Sequence, residues 1–446
     1  MIWISSIPVP LVSSIRQLLV ATDLREFLQA GGASVFTQVA NRFIMLALGV
    51  LLARQLGPTE YGYYAYAFAW LAVLLVFADV GVSQFSLREA AALRETGQPH
   101  DLRRMLAQGA SAVLLMSLLV SLVGSSVLHV LPATAQSGVM AIVLMLLPAV
   151  VLVRYSAYAM RGLGAITTGQ IMEQILIPGL VLVGILAIYL SGTAMLAVAA
   201  AQVQLVVALI GCGVGLGLLI RKVGLIKPVR TGVLQVIAAA IPFGLLAGIN
   251  VLNGQIDILM LGYFAHADQV GMYRIAVLGA ALVGFGLQAA NVVLPTLFAR
   301  LQARNDQAQL QALVTLSAQL ILACALPVAL VFWLWGAQLV SWVFGVAYVD
   351  AYLPLAILAL GELVGASLGS MGFLLYMSGE ERRALTVLMA TALLNVLLNL
   401  ILIPLYGLAG AAIATACGQA VRLVLLYWLV VRHLGLSPLP FRRIKL

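Results

Sequence analysis

Residues 33–84 read ASVFTQVANRFIMLALGVLLARQLGPTEYGYYAYAFAWLAVLLVFADVGVSQ. Two apolar runs, 33–53 and 62–84, flank a short segment that carries Arg54, Glu60 and a Gly-Pro pair. As a helix, an apolar run of about 20 residues crosses the ~30 Å hydrocarbon core of a bilayer. This stretch therefore predicts two transmembrane helices joined by a tight turn.

The same pattern recurs along the chain of 446 residues, of which 63% are hydrophobic and only 9% are charged. Soluble domains of this length do not have such a composition. The predicted spans are 33–53, 62–84, 106–130, 138–160, 170–190, 194–220, 233–261, 272–298, 311–335, 352–377, 384–403 and 407–431. We therefore predict an all-α integral membrane protein with about twelve transmembrane helices.

Basic residues fall almost entirely in every second gap between these spans. The basic gaps are 85–105, 161–169, 221–232, 299–310 and 378–383, together with the tail 432–446, whereas the other gaps hold only Arg54. Lys and Arg are retained on the cytoplasmic side of a membrane. We expect both termini to face the cytoplasm. Topology also accounts for the net charge of +9, so we expect no nucleic-acid partner.

Cysteine and histidine patterns indicate neither a metal site nor a cofactor. The three cysteines, Cys212, Cys324 and Cys417, lie far apart inside apolar runs, and the four histidines are isolated. The chain has no GxxxxGK[ST] phosphate loop, which excludes an intrinsic ATP motor of that type. We also find no candidate catalytic residues, because the loops are short and a catalytic membrane enzyme would need carboxylates or a large outer loop.

The two halves of the chain resemble each other. Residues 57–65 read GPTEYGYYA and residues 262–276 read GYFAHADQVGMYRIA, so that aligning Gly62 with Gly271 also aligns Tyr64 with Tyr273. Chance similarity in an apolar sequence is the alternative. A duplication predicts two parallel six-helix lobes around a central cavity. The expected organisation is an amphipathic N-terminal segment (1–30), an N-terminal lobe (31–220), a cytoplasmic linker (221–232), a C-terminal lobe (233–432) and a basic tail (433–446).

Several charged residues lie inside the predicted spans, where each costs about 2.5–3.5 kcal/mol at the bilayer centre. Arg42, Glu362 and Arg422 lie deepest, and Asp257 and Arg274 lie near the outer ends of their spans. One interpretation is a structural ion pair. The other is a water-filled, cationic cavity in which Arg42, Arg274 and Arg422 receive an anionic group, because guanidinium grips phosphate with two hydrogen bonds. Glu362 and Asp257 are then candidates for coupling to H+ or Na+.

Uncharged polar residues accompany these charges. Asn41 lies beside Arg42, Asn253 lies in the seventh span and Asn291 lies in the eighth. Hydrogen bonds between helices are one explanation for them. The other is binding of a hydroxyl-rich head group, and we include all three in the candidate substrate site.

Residues 54–62, Arg-Gln-Leu-Gly-Pro-Thr-Glu-Tyr-Gly, resemble the RxLGPxxYG signature of O-antigen-type polysaccharide flippases. Residues 257–262 with 270–273, residues 343–348 and residues 406–412 are also similar to segments of that family. These flippases translocate lipid-linked oligosaccharides and belong to the multidrug/oligosaccharidyl-lipid/polysaccharide exporter superfamily. The resemblance covers residues 30–432.

The resemblance implies a transporter without enzymatic activity that moves an isoprenoid-pyrophosphate-linked oligosaccharide from the cytoplasmic to the outer leaflet of a bacterial inner membrane by alternating access. It also implies contact with membrane lipids and with glycan polymerase or export machinery. The alternative is a cation-coupled exporter of small molecules on the same fold. The drug-exporting branch typically has a carboxylate in the first span, where this chain has Arg42.

Overall fold

The protein is described by a computed structural model of residues 24–130, 135–224, 232–304 and 306–438. Residues 1–23, which make up most of the predicted amphipathic segment, lie outside the described chain. Most of the linker and residues 439–446 of the tail also lie outside it. All regular secondary structure in the described ranges is helical, so the predicted fold class is confirmed.

Fourteen α-helices follow one another along the described residues. They are α1 Leu24–Asp79, α2 Val82–Glu95, α3 Pro99–Val130, α4 Ala135–Gly162, α5 Ile166–Ile171, α6 Ile177–Leu190, α7 Ala197–Val223, α8 Val233–Phe264, α9 Ala267–Val283, α10 Phe285–Ala303, α11 Gln307–Val343, α12 Tyr352–Leu368, α13 Met371–Met377 and α14 Glu381–Leu429. A π-helical turn, Met172–Leu176, joins α5 to α6, and a 3-10 helix, Val346–Ala351, precedes α12. A second π-helical turn, Val430–Leu434, follows α14.

Two of these helices each hold a break at a glycine. Within the described chain, 9 helical segments are long and apolar enough to cross a membrane, and the bent pair α9–α10 makes 10. The helix α1 is broken at Gly57 (φ 70°, ψ 173°), and α14 is broken at Gly407 (φ 55°, ψ −127°). Dividing both helices at these glycines is consistent with the twelve predicted spans, because only glycine adopts such backbone angles readily.

Other breaks occur inside the membrane. The helices α9 and α10 meet at Gly284 with a bend of 52°, and α12 is separated from α13 at Gly369, where φ is 65°. Between α5 and α6, the π-helical turn precedes Pro178, which cannot donate a backbone hydrogen bond. Irregular backbone at membrane depth is tolerated only where protein or water satisfies its polar groups, so these breaks indicate places where the bundle interior is polar.

Buried apolar side chains form two main cores. The larger core runs through the N-terminal half and continues into one end of the C-terminal half, where it includes Tyr348, Leu355 and Ala411. The second core, with Leu294, Phe298 and neighbours from α11 to α14, lies only in the C-terminal half. The two halves thus share apolar packing at the end that carries the Gly57 turn, whereas much of the C-terminal half packs by itself at the opposite end.

We predict that Gly57→Ala lowers the melting temperature of the purified protein in detergent. A β-carbon at Gly57 meets no atom within 4 Å, so the cost is purely conformational, about 1–3 kcal/mol for an L-residue in this region. Gly213→Ala in α7 is the matched control, since Gly213 is helical and also has open space around it. Equal melting temperatures for the two variants would contradict the prediction.

Candidate substrate and ion sites

Arg42 lines a hollow between the first and eighth spans. The hollow takes up about 250 Å³, including the open space at its mouth, and is lined by Gln38, Val39, Arg42, Phe285, Gln288, Ala289 and Val292. Its far wall, α10, begins directly after the bend at Gly284. The bend therefore sets the shape of the hollow, and the guanidinium faces amide groups as well as apolar side chains.

Glu362 on α12 interacts electrostatically with both Arg42 and Arg422. Its carboxylate accepts a hydrogen bond of 3.2 Å from Gln419 Nε2 and lies so close to Gly284 that a β-carbon there would overlap it. Among the described residues, no ion pair within 4.0 Å joins the three charged groups. Two guanidinium groups thus face one carboxylate without a closed salt bridge, which leaves positive charge available to an anion.

Asn41 is occupied by a contact between helices. Its Nδ2 donates a hydrogen bond of 2.5 Å to the carbonyl oxygen of Gln174 in the π-helical turn. Pro178 stands four residues later and has no N–H to donate to that carbonyl. Asn41 therefore satisfies a backbone group that a proline leaves free, and it ties the first span to the fifth.

The other two candidate asparagines differ from each other. Asn291 Oδ1 accepts a hydrogen bond of 2.5 Å from Ser370, in the break between α12 and α13. The Nδ2 of Asn253 is buried and has no hydrogen-bond partner. An unpaired buried amide is costly, so Asn253 has an unused donor, whereas Asn291 connects two broken spans.

Arg274 lies apart from Arg42 and Arg422. It interacts with the hydroxyl of Tyr61, which is a residue of the RQLGPTEYG segment between the first two spans. Tyr61 is 2% exposed. Arg42 and Arg422 thus both interact electrostatically with Glu362, whereas Arg274 lies at the contact between the two halves.

Asp257 forms a separate polar cluster between α8, α9 and the two parts of α14. Its Oδ1 accepts from Asn399 Nδ2 at 2.8 Å, and its Oδ2 accepts from the hydroxyls of Thr415 at 2.5 Å and Tyr273 at 3.2 Å. Asn399 Nδ2 also lies 3.0 Å from Asn395 Oδ1, whereas Asn399 Oδ1 is buried without a partner. Asp257 itself is 7% exposed.

This cluster has oxygen atoms and no positive charge. None of the described Lys, Arg or His side chains forms an ion pair with Asp257. A buried carboxylate without a counter-charge is costly unless a cation or a proton neutralises it. Carboxylate, amide and hydroxyl oxygens are the ligands that hard cations prefer, so the cluster is suited to a small cation or a proton.

In the N-terminal half, Arg161, Asp79 and Arg154 each have a partner side chain in the same half. Arg161 Nη2 forms an ion pair with Glu173, and Asp79 Oδ1 accepts a hydrogen bond of 2.5 Å from the hydroxyl of Ser83. The guanidinium of Arg154 lies 5.6 Å from the centre of the Tyr158 ring. These side chains of the N-terminal half interact within that half, whereas Arg42 on the first span interacts with Glu362 of the C-terminal half.

Sequence reasoning missed Thr415 and Gln419, which contact the two key carboxylates. Thr415 bonds Asp257 and Gln419 bonds Glu362. Together with Arg422 they stand at positions i, i+4 and i+7 of the last span, which places them on one face of a helix. This spacing could have identified both residues from the sequence, because it places a polar stripe on an otherwise apolar helix.

The sequence of this chain is similar to that of known proteins. Residues 27–302 match a family model described as polysaccharide biosynthesis protein. The chain is 27% identical over 170 residues to a probable low-salt glycan biosynthesis flippase, Agl15, of Haloferax volcanii. That alignment covers 38% of this chain and 36% of the relative, so the chain matches about a third of the curated relative's length.

Two solved structures share the fold. The inward-facing conformation of a multidrug resistance MATE family transporter of the MOP superfamily superposes with a TM-score of 0.68 at 16% identity, covering 86% of this chain and 92% of that one. The lipid II flippase MurJ in an inward closed conformation gives a TM-score of 0.68 at 12% identity, covering 89% and 87%. These likenesses concern the fold, whereas the family match spans well over half of the sequence. The chain belongs to the polysaccharide biosynthesis protein family.

Proposed function

We propose that this protein is a flippase that carries an isoprenoid-pyrophosphate-linked oligosaccharide from the cytoplasmic to the outer leaflet by alternating access. The observation that carries the proposal is that two guanidinium groups, those of Arg42 and Arg422, interact electrostatically with the single carboxylate of Glu362. A pyrophosphate is a dense, multivalent anion, and arginine binds it with paired, charge-assisted hydrogen bonds. Membership of the polysaccharide biosynthesis protein family supports a glycan as the cargo.

The path of the substrate follows from the position of Arg42. Its hollow lies between two spans, α1 and α10, and Phe285 forms part of the wall. The isoprenoid tail remains in the bilayer, where it is soluble, and only the charged and hydroxyl-bearing head group enters the interior. The unpaired Nδ2 of Asn253 is a donor for the sugar hydroxyls. This role requires no bond to be made or broken, so the protein acts as a transporter without enzymatic activity.

The energy for transport comes from a coupling ion in this proposal. Asp257 and its oxygen-bearing neighbours bind H+ or Na+. Glu362 binds or releases a proton or a cation as the anionic substrate leaves or enters. Asp257 and Glu362 are linked through the last span, because Thr415 bonds the first and Gln419 bonds the second. Occupancy of one site then changes the position of the helix that lines the other.

The cellular setting is a bacterial inner membrane, with both termini in the cytoplasm, as the basic gaps of the sequence indicate. The partners are the lipid-linked glycan, the surrounding membrane lipids and the glycan polymerase or export machinery that consumes the flipped product. The two six-helix lobes, 31–220 and 233–432, are the bodies that move relative to each other.

The alternative is a cation-coupled exporter of small molecules, which the fold shared with a multidrug transporter also supports. Arg42 favours the flippase, because a cationic cavity repels the organic cations that such exporters carry. Export of cationic dyes from cells that overproduce the protein, with no change in surface glycan, would decide for the exporter.

We predict that Arg42→Ala and Arg422→Ala each weaken binding of a soluble isoprenoid pyrophosphate by about 10- to 100-fold, since a charge-assisted hydrogen bond contributes about 1.5–3 kcal/mol. Both variants reduce glycan display in a complementation assay without lowering protein abundance on an immunoblot. Arg432→Ala is the matched control, because Arg432 stacks on Trp428 near the end of the last span, outside the proposed site. Full binding and full display from both cavity variants would remove the proposal.

Asp257→Asn tests the coupling ion. In the unaltered protein we expect Na+, or protonation at low pH, to raise the melting temperature at constant ionic strength, because a bound cation stabilises the folded state. The variant keeps the size of the side chain and loses its charge, so this stabilisation disappears. Glu380→Gln serves as control, since Glu380 bonds Arg383 at the cytoplasmic surface. An unchanged cation response in Asp257→Asn would contradict the assignment.

A further inference from the structure

The internal repeat of the sequence brings two glycines face to face at the outer end of the bundle. Gly62 and Gly271 are the residues that align when the two halves are superimposed in sequence. A β-carbon placed on Gly62 would overlap the carbonyl oxygen of Ala267, and one placed on Gly271 would overlap the carbonyl oxygen of Pro58. Both positions therefore require glycine because the facing backbone lies too close for any side chain.

The two contacts are related by the same repeat. Pro58 precedes Gly62 by four residues, and Ala267 precedes Gly271 by four residues. Each half thus presents one carbonyl and one glycine, and the carbonyl of each half lies against the glycine of the other. Such a reciprocal arrangement is what a two-fold axis between equivalent surfaces produces. Small residues spaced by four are also the usual means by which membrane helices approach closely.

Neighbouring residues fasten this crossing. Arg54 Nε donates a hydrogen bond of 2.7 Å to the carbonyl oxygen of Val343, and its Nη2 donates to the carbonyl oxygen of Trp342. These are carbonyl groups at the C-terminal end of α11, where a positive charge is favoured. Tyr348 donates a hydrogen bond of 2.8 Å to the carbonyl oxygen of Ala53. Every one of these bonds runs from one half of the chain to the other.

We propose that the Gly62–Gly271 crossing is a two-fold-related outer seal that opens in each transport cycle, with Arg54 as the latch that holds it shut. The crossing itself joins backbone to backbone and contains no ion pair among the described residues. Weak contacts of this kind separate without breaking an ion pair. The latch is held by main-chain carbonyls, which water can solvate once the seal opens.

The seal can be tested by pulsed electron paramagnetic resonance on the full chain in lipid nanodiscs. Spin labels are attached at two exposed positions, Ala194→Cys in the loop before α7 and Val346→Cys at the start of the 3-10 helix that precedes α12. Cys212, Cys324 and Cys417 are replaced by alanine in this background. We expect Gly62→Ala and Gly271→Ala each to shift the distance distribution to longer values. The double variant gives the same shift as either single variant, because both substitutions disrupt one contact.

Gly213→Ala is the matched control and leaves the distribution unchanged, since its β-carbon has open space. Arg54→Ala adds no bulk, and it also moves the distribution to longer distances if the latch assignment is right. If a glycine variant fails to fold, Arg54→Ala still tests the proposed seal. Unchanged distances in the folded glycine variants, or in Arg54→Ala, would overturn the proposal.

The inference rests on the alternating access proposed above. The test of the seal measures the distance between two spin labels in the absence of substrate. The proposed function is measured by pyrophosphate binding and glycan display. A protein that carries a different cargo would still show the seal, so a failure of one idea is distinguishable from a failure of the other.

Discussion

The cost of placing charge in hydrocarbon is the constraint on which the rest of this structure depends. A chain with only 9% charged residues nevertheless keeps Arg42, Arg422, Glu362 and Asp257 inside its spans. Each of them must find water, a partner or a ligand, because an isolated charge is unfavourable in the bilayer. The bend at Gly284 and the other helix breaks are subject to the same constraint, because the backbone groups that they free also need polar partners.

The two halves resolve this constraint differently. In the N-terminal half, Arg161 and Glu173 form a closed pair. In the C-terminal half, Asp257 is surrounded by neutral donors, and Glu362 faces guanidinium groups that do not close on it. The C-terminal half thus holds the proposed ion site, whereas the proposed substrate site takes Arg42 from the N-terminal half and Arg422 from the C-terminal half.

The two ends of the bundle also differ in how the two halves pack against each other. At the end that carries the Gly57 turn, apolar packing is continuous between the halves, and glycines allow backbones to touch. At the opposite end, the core built around Leu294 and Phe298 belongs to the C-terminal half alone. A bundle that is joined at one end and packs separately at the other is closed at the joined end, and alternating access requires that end to open in its turn.

The sequence by itself determined the fold class, the approximate spans and the intramembrane charges, because hydrophobic length and charge cost act on each segment independently of its neighbours. The Gly-Pro pair at residues 57 and 58 also marked the first turn, and the structure places a second glycine, Gly407, at the break in α14, with backbone angles that favour glycine.

Only the tertiary structure decided which groups meet. It showed that Asn41 satisfies a carbonyl left free by Pro178, that Arg274 belongs to the contact between the halves, and that Thr415 completes the cluster of Asp257. These contacts depend on the rotation, tilt and bending of each helix. Packing between helices sets those quantities, and the apolar pattern of a lipid-facing helix is nearly uniform around its axis.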